Sequence, residues 1–394
     1  MRIGRTLPPA AAPLCGEDLW HGLAGAFSPE RSLRALEEEM RRFFGVGHVF
    51  LVSSGTGALT LTLMALKSLS PRAEVVMPAY TCYSVAAAIL KAGLRPVLCD
   101  IDPSTFDFDH ELLEQTLNAD SLCVVAHHLF GIPSDIERIR ALAEARGAFV
   151  VEDAAQAMGV ESNGRKLGTL GDVGVFSLGR GKNITCGSGG VIVTSSHEIA
   201  GAIHRHYRQL ESSPRAGALK GLAQFALMAV FIRPLLYWLP AALPFLRLGE
   251  TIFPRRIPLK RLSGMKAALL RNWRSRLAES NRIRSETATY FSRRLPLRMV
   301  AGGAHPYVRL PVLASNPEEK ARVLSLSQGR GLGLSVAYPR AIHEIPEMRA
   351  VVDGRRFPSA RSVAERILTI PTHHWLSEQD KRAIAEACRG LASS

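Results

Sequence analysis

Gly171-Asp172-Val173-Gly174-Val175-Phe176-Ser177-Leu178-Gly179-Arg180-Gly181-Lys182-Asn183-Ile184-Thr185-Cys186-Gly187-Ser188-Gly189-Gly190 decides how this chain is read. An apolar, strand-like run ends at Ser177, and Lys182 follows among glycines. A second apolar run, Val191 to Thr194, then carries the chain away. A lysine in this setting is a solvated surface residue, a phosphate clamp or a nucleophilic amine. Gly181-Lys182 does not make a P-loop, because Phe176 stands at the required upstream glycine and Asn183 at the Ser/Thr position.

Upstream of this stretch, strands and helices alternate. Ser28-Pro29 reads as an N-cap with proline at N1, followed by a helix with Leu33, Leu36, Met40 and Phe43 at helical spacing and Gly45 at its end. The strand Val49 to Val52 runs into Ser53-Ser54-Gly55-Thr56-Gly57-Ala58-Leu59, and Leu59, Leu63 and Leu66 mark a helix. Such a turn leaves free N–H groups at the positive end of a helix, which is a phosphate site in physical terms. It is not a dinucleotide fingerprint, since Thr60 occupies the third glycine position. Strands follow at Glu74 to Met77, Leu94 to Cys99, Leu122 to Ala126 and Ala148 to Val151. Helices are expected over Tyr83 to Ala92, His110 to Leu117 and Asp135 to Arg146. This order predicts an α/β domain with a mostly parallel sheet and helices on both faces. Ligands in such sheets gather at the C-terminal strand ends. Ser54 to Gly57, His128 and Asp153 fall at that edge.

A chain of 394 residues can hold a large domain and a smaller one. The expected division is an N-terminal arm (1–27), a large domain (28–260) and linking helices with a small C-terminal α+β domain (261–394). In the last part, strands are read at Tyr307 to Leu313 and Leu334 to Tyr338, and helices over Leu262 to Arg298, Pro317 to Gly329 and Ser377 to Cys388. Six scattered cysteines without a metal-type spacing point to a reduced, cytoplasmic protein, and the start lacks the apolar core of a signal peptide. No metal-ligand pattern is present; His127-His128 and His373-His374 lack carboxylate or cysteine partners at zinc spacing.

The net charge of +14 suits a phosphorylated substrate or an anionic surface. Without zinc-finger or RNP-type motifs, nucleic acid is not an expected partner. Within residues 215–250, Leu222 to Leu246 is strongly apolar but is broken by Arg233, Pro234, Pro240 and Pro244. It reads as a buried or dimer-interface segment, as an interfacial membrane element or, least well, as a span. Many cations between Arg255 and Arg298 follow it, so 215–298 is also a candidate for contact with an anionic membrane from the cytoplasmic side.

A pyridoxal phosphate enzyme needs a lysine amine, a carboxylate for the pyridine nitrogen and phosphate donors. Lys182, Asp153, the Ser54 to Gly57 turn and Ser177 supply these types in order on one α/β domain. Singly each has an ordinary structural reading. As a set, with Pro78-Ala79-Tyr80-Thr81, Asp100-Ile101-Asp102, His128-Leu129-Phe130-Gly131 and Glu152-Asp153-Ala154-Ala155-Gln156-Ala157, they resemble the DegT/DnrJ-type sugar aminotransferases. Tyr338-Pro339, His343, Pro346 and Ile370-Pro371-Thr372-His373 resemble that family's C-terminal landmarks.

The resemblance implies an aspartate aminotransferase-like fold and pyridoxal 5'-phosphate as cofactor. It assigns Lys182 to the covalent link with the cofactor's aldehyde and to proton transfer. Asp153 would pair with the pyridine nitrogen and Gln156 with the phenolic oxygen, while Gly55, Thr56, Gly57 and Ser177 would hold the phosphate. It further implies a homodimer that moves an amino group, usually from glutamate, to a nucleotide-linked keto sugar. Three positions depart from the pattern. Cys82 stands where an aromatic ring covers the cofactor, with Tyr80 and Tyr83 as alternatives. Met158 replaces a histidine, and Ile257-Pro258-Leu259-Lys260-Arg261 replaces the partner-subunit loop that brings an asparagine to the phosphate. The remaining readings are a dehydration or acyl transfer with the same cofactor, and a non-catalytic, membrane-associated regulator.

Overall fold

The structure is a computed structural model that describes residues 3–212, 216–246, 251–295, 305–352, 354–389 and 391. Residues 1–2 of the arm, 215 and 247–250 of the apolar segment and Arg298 of the basic block lie outside the described residues. The chain begins with α1 (Gly16–Phe27), α2 (Pro29–Phe44), β1 (His48–Val52), α3 (Gly55–Lys67), β2 (Glu74–Pro78), α4 (Tyr83–Lys91) and β3 (Arg95–Cys99). It continues with α5 (His110–Thr116), β4 (Ser121–His127), α6 (Ile136–Glu144), β5 (Phe149–Asp153), a small ribbon of β6 (Glu161–Ser162) and β7 (Arg165–Lys166), β8 (Val173–Ser177) and β9 (Gly190–Thr194). Then come α7 (His197–Arg208), α8 (Ala216–Phe231), α9 (Trp238–Ala241), α10 (Gly264–Ala268) and α11 (Trp273–Ser292). The last elements are β10 (Arg309–Leu313), α12 (Pro317–Arg330), α13 (Pro358–Arg366), β11 (Ile367–Pro371) and α14 (Glu378–Cys388).

Seven strands form the main sheet in the order β1-β9-β8-β5-β4-β2-β3. β9 pairs antiparallel with both β1 and β8, while the other pairings are parallel. The mostly parallel sheet is therefore as expected, with β9 the one reversed strand. Successive residues of its strands feed two cores. Val75, Met77, Cys123, Val125 and Val151 join one apolar cluster, and Val76, Val124, Ala126 and Val150 join the other. Period-2 alternation with both faces apolar is what a sheet covered on both sides requires. On one face lies α3, mostly apolar and buried from Gly57 to Leu63 and at Ala65 and Leu66, which a helix enclosed by neighbours needs. The other face carries Leu36, Met40 and Phe44 of α2 and Trp273 and Leu277 of α11, whose Trp273 Nε1 donates to Glu39 at 2.9 Å.

One expectation changes and three regions gain detail. The N-terminal arm contains a full helix, α1, whose Asp18 accepts from the Cys15 amide at 3.0 Å and pairs with Arg276. The described part of Leu262 to Arg298 holds two helices, the short α10 and the long α11, in line with the helical reading. The expected strand at Leu334 to Tyr338 is only a single bridge, Ser335 to Thr369. Ser335 and Thr369 exchange two backbone bonds, while Ala337 O accepts from Thr251 Oγ1 at 2.7 Å and Tyr338 O from Tyr80 Oη at 3.2 Å. The basic block is not one solvated strip: Arg284 is fully buried, Arg276 reaches Asp18, and Arg282 is held by Glu279 and Glu286.

Among the described residues no helix is long and apolar enough to cross a membrane. The prolines and Arg233 divide the apolar stretch into α8, α9 and a short 3-10 turn. Much of its apolar surface faces outward, with Leu227 57%, Leu235 67% and Phe245 75% exposed.

Candidate active site

The site is built at the C-terminal edge of the parallel strands. β1 delivers Ser54, whose extended backbone (φ −159°, ψ 156°) and side chain cap α3, with Ser54 Oγ accepting from the Gly57 amide at 3.0 Å. Gly57 is thereby committed to the cap and does not line the cleft. The amides of Gly55 and Thr56, in the first turn, have no intrahelical acceptor and lie at the positive helix end. A Cβ on Gly55 would sit 2.8 Å from Ser177 Cβ and 3.0 Å from its Oγ. Only glycine lets the β8 hydroxyl close against the α3 turn. The reversed strand β9 needs the same closeness, for a Cβ on Gly190 would lie 2.2 Å from Ser54 O.

β5 ends at Asp153, beside His127 of β4. Asp153 Oδ1 accepts from the Ala155 amide at 3.1 Å, which fixes the carboxylate at the cleft edge. Its neighbour Glu152 points to the other side of the strand and is fully buried. There it accepts from His128 Nε2 at 2.8 Å and from the amides of Gly168, Leu170 and Gly171. Burial alone would raise the Glu152 carboxyl, but His128 and these amides outweigh burial and hold it below the usual carboxylate range. Glu152 is thus a strut, and Asp153 is the carboxylate that lines the cleft. Gln156 is fixed at both ends, its Oε1 accepting from the Phe130 amide at 2.6 Å and its Nε2 donating to Tyr338 Oη at 3.0 Å.

Lys182 sits in a loop tied across its base. Leu178 N donates to Gly189 O at 2.8 Å, and Thr185 Oγ1 donates to Leu178 O at 3.0 Å. The Lys182 carbonyl accepts from Arg284 Nη2 at 3.0 Å, and the same nitrogen donates to Ala11 O of the arm at 3.1 Å. Burial without a carboxylate partner pushes the Arg284 guanidinium down to about 10. Pattern reading missed this anchor, because an arginine in a basic helix gives no sign of which face it occupies. The Lys182 amine is itself lowered, mainly by burial and further by Arg309, against the opposing influence of Cys82 and Asp153. A lowered amine is neutral more of the time and so is the better nucleophile.

Gly55, Thr56, Cys82, Asp153, Gln156, Ser177 and Lys182 all line one cleft of about 350 Å³. Tyr80 and Tyr83 do not line it. Tyr80 Oη donates to Tyr338 O, and Tyr83 Oη bonds the Arg340 backbone, so both tie the sheet edge to the C-terminal segment. Cys82 does line the cleft, with Ser84 Oγ 2.9 Å from its sulfur. Met158 is buried away from the cleft, its carbonyl accepting from Asn281 Nδ2 at 3.0 Å. The Ile257 to Arg261 segment runs along its own chain's Ser53–Gly57 turn, with Lys260 O accepting from Ser53 N at 2.9 Å.

The model of the DegT/DnrJ/EryC1/StrS aminotransferase family matches residues 24–217 and 259–389. The chain belongs to that family. Most of the apolar segment falls between the two matched stretches. The UDP-N-acetyl-3-dehydro-alpha-D-glucosamine 3-aminotransferase of Acidithiobacillus ferrooxidans is 28% identical over 362 residues, 90% of this chain and 87% of that protein. The GDP-perosamine synthase of Caulobacter vibrioides is 34% identical over 186 residues, 47% of this chain and 48% of that protein. Among solved structures, Helicobacter pylori PseC, an aminotransferase involved in the biosynthesis of pseudoaminic acid, superposes with a TM-score of 0.78 at 19% identity, covering 98% of both chains. DesV of S. venezuelae gives 0.73 at 26% identity, covering 92% of this chain and 90% of the other. The aminotransferases of this family use pyridoxal 5'-phosphate. The cleft fits that cofactor: an amine for the aldehyde, a carboxylate for the ring nitrogen, and an amide and hydroxyl cradle that a Cβ at Gly55 would fill.

Proposed function

We propose that this chain is a pyridoxal phosphate-dependent aminotransferase that moves an amino group from glutamate to a nucleotide-linked keto sugar. The observation that carries this is the convergence of Lys182, Asp153 and the Gly55–Thr56–Ser177 cradle on one cleft. The relatives named above, which by their names act on UDP- and GDP-linked sugars, support the substrate class. When bound, the cofactor supplies an aldehyde that captures amino groups and a ring that withdraws electrons. Gly55, Thr56 and Ser177 would hold its phosphate, Asp153 would keep a proton on the ring nitrogen, and Gln156, which lines the cleft, would contact the phenolic oxygen. Lys182, neutral more often than a free lysine, would hold the cofactor through its aldehyde and would serve as the base and acid at the substrate carbon. A retained lysine argues against dehydration. Purified protein is expected to show the absorbance of the lysine-bound cofactor and to pass labelled nitrogen from glutamate into an amino sugar, and Lys182→Ala to abolish both. A wild type that binds no cofactor refutes the reading.

We further propose that the enzyme is a homodimer and that its apolar segment rests on an anionic membrane surface. Residues 216–246 carry Lys220 and Arg233 but no acidic residue, and Arg255 and Arg256 are exposed nearby. A basic, apolar face suits anionic headgroups better than a second copy of itself. Flotation with phosphatidylglycerol vesicles, alongside sedimentation of the free protein, tests both. A dimer that never floats removes the membrane contact.

A further inference from the structure

Lys266 lies on α10, and its Nζ donates to Ser188 Oγ at 2.6 Å. Unlike Lys260, which pairs with Glu211 at 2.9 Å, it forms no ion pair among the described residues. Ser188 lines the cleft. Its backbone is pinned by its neighbours: Cys186 Sγ donates to Ser188 O at 3.4 Å, and Gly189 O accepts from Leu178 N at 2.8 Å. A Cβ on Gly189 would lie 3.1 Å from Leu262 Cδ1, just before α10. Gly190 pairs with Ser177, and a Cβ there would lie 2.9 Å from the Gly55 amide nitrogen. Ser188 therefore belongs to the end of the cleft that holds Gly55, Thr56 and Ser177. A serine hydroxyl has one proton to give and two lone pairs. The ammonium occupies a lone pair, and among the described residues nothing accepts the Ser188 proton. A hydroxyl whose oxygen already accepts from a cation is the stronger donor.

We propose that Lys266 is a positioning residue of the phosphate cradle: it orients and polarises Ser188, and Ser188 donates to the cofactor's phosphate. This rests on the aminotransferase reading and adds a donor and a cation to its cradle. A phosphate ester carries nearly two negative charges at neutral pH, whereas the Gly55 and Thr56 amides and the Ser177 hydroxyl are neutral. Among the described residues Lys182 is the one lysine or arginine lining the cleft, and the aldehyde engages it. Lys266 brings a positive charge to the same end across one hydroxyl. The residue pattern gave no sign of the pair, whose members stand 78 positions apart. A nucleotide-linked sugar also carries phosphate groups, so the assay has to separate the two sources.

Full-length protein freed of cofactor is titrated with pyridoxal 5'-phosphate and with pyridoxal, and the loaded enzyme with UDP. Ser188→Ala is expected to weaken the phosphate ester about tenfold to a hundredfold and to leave pyridoxal nearly unchanged. Lys266→Met, which keeps the apolar stem, is expected to weaken the ester about tenfold in the wild-type background. In the Ser188→Ala background it is expected to add at most about threefold, because a residue acting through another has lost its route. In phosphorus NMR of the loaded enzyme, the pH at which the phosphate takes up its second proton is expected to rise in Lys266→Met, since a nearby cation favours the dianion. A lysine with a merely structural role would not move it. Equal losses for the ester and pyridoxal overturn the proposal, as does unchanged ester binding in Ser188→Ala. So do losses that multiply fully in the double variant, or a loss confined to UDP, which would put the phosphate on the substrate. If Lys266→Met does not fold, Lys266→Gln is read by the same criteria. A wild type that binds neither the ester nor pyridoxal is a separate failure, that of the aminotransferase reading.

Discussion

Gly55→Ala is the sharpest perturbation of the cofactor cradle. The added methyl meets Ser177 Cβ at 2.8 Å, Oγ at 3.0 Å and Cα at 3.3 Å, so either β8 or the first turn of α3 must move. Overpacking of this kind costs about 1–3 kcal/mol in a well-packed site. The shift also pulls the Gly55 amide and the Ser177 hydroxyl away from the phosphate. Losing one hydrogen bond to a charged group costs about 1.5–3 kcal/mol, or roughly a tenfold to hundredfold loss of affinity. Equilibrium titration with pyridoxal 5'-phosphate and, in parallel, with pyridoxal isolates this term, because pyridoxal keeps the aldehyde but lacks the phosphate. The expected result is a large loss for the phosphate ester and little change for pyridoxal. In Gly55→Ala/Ser177→Gly the clash is relieved without restoring the hydroxyl, so stability should recover and phosphate affinity should not. Equal losses for the two ligands, or none for either, would refute the cradle.

Arg284→Met leaves the carbonyls of Lys182 and Ala11 without their shared donor. Loosening by about 1–2 kcal/mol should speed protease cleavage of the N-terminal arm roughly fivefold to thirtyfold and lower cofactor affinity, both measurable on one preparation. His373 donates Nε2 to Pro8 O at 2.8 Å and accepts from Trp375 N at 3.3 Å, and burial pushes its pKa down to about 3 from the ordinary 6.5. Its neutral form is at home in the fold, so its contribution is complete above pH 6.5 and declines as pH falls toward 3, where only the unfolded chain takes up the proton. The decline is about 1.4 kcal/mol per pH unit. His373→Gln, which keeps a donor and an acceptor, should flatten the stability profile over that window by this amount, and parallel profiles in denaturant melts would count against it.

The main sheet was legible because apolar runs, helix caps and glycine stops are local. Ser28-Pro29 and Gly45 bracket α2, and Gly45 takes the left-handed conformation that ends it. Ser377 caps α14 with the reciprocal Asp380 contact that such a start favours. Local patterns failed where a partner distant in sequence decides. The stretch at Leu334 to Tyr338 has strand composition, yet it makes one bridge, and Tyr80 and Thr251 side chains take the carbonyls of Tyr338 and Ala337. α1 escaped notice because its start at Cys15 lacks a common capping residue, and Asp18 serves instead.

The sequence by itself determined the type of every group the cleft chemistry needs: the lysine, the strand-end carboxylate, the glycine turn and the hydroxyl, each at the end of a recognisable element. That follows from the parallel sheet, which brings such ends to one edge whatever the intervening helices contain. Only the tertiary structure decided which of several like residues faces the cleft. It kept Tyr80 and Tyr83 out of the cleft and left Cys82 lining it, and it buried Arg284 against the Lys182 carbonyl. Those outcomes depend on packing between segments far apart in the chain, and burial changes the charge behaviour of a lysine or arginine in ways its sequence neighbours do not encode.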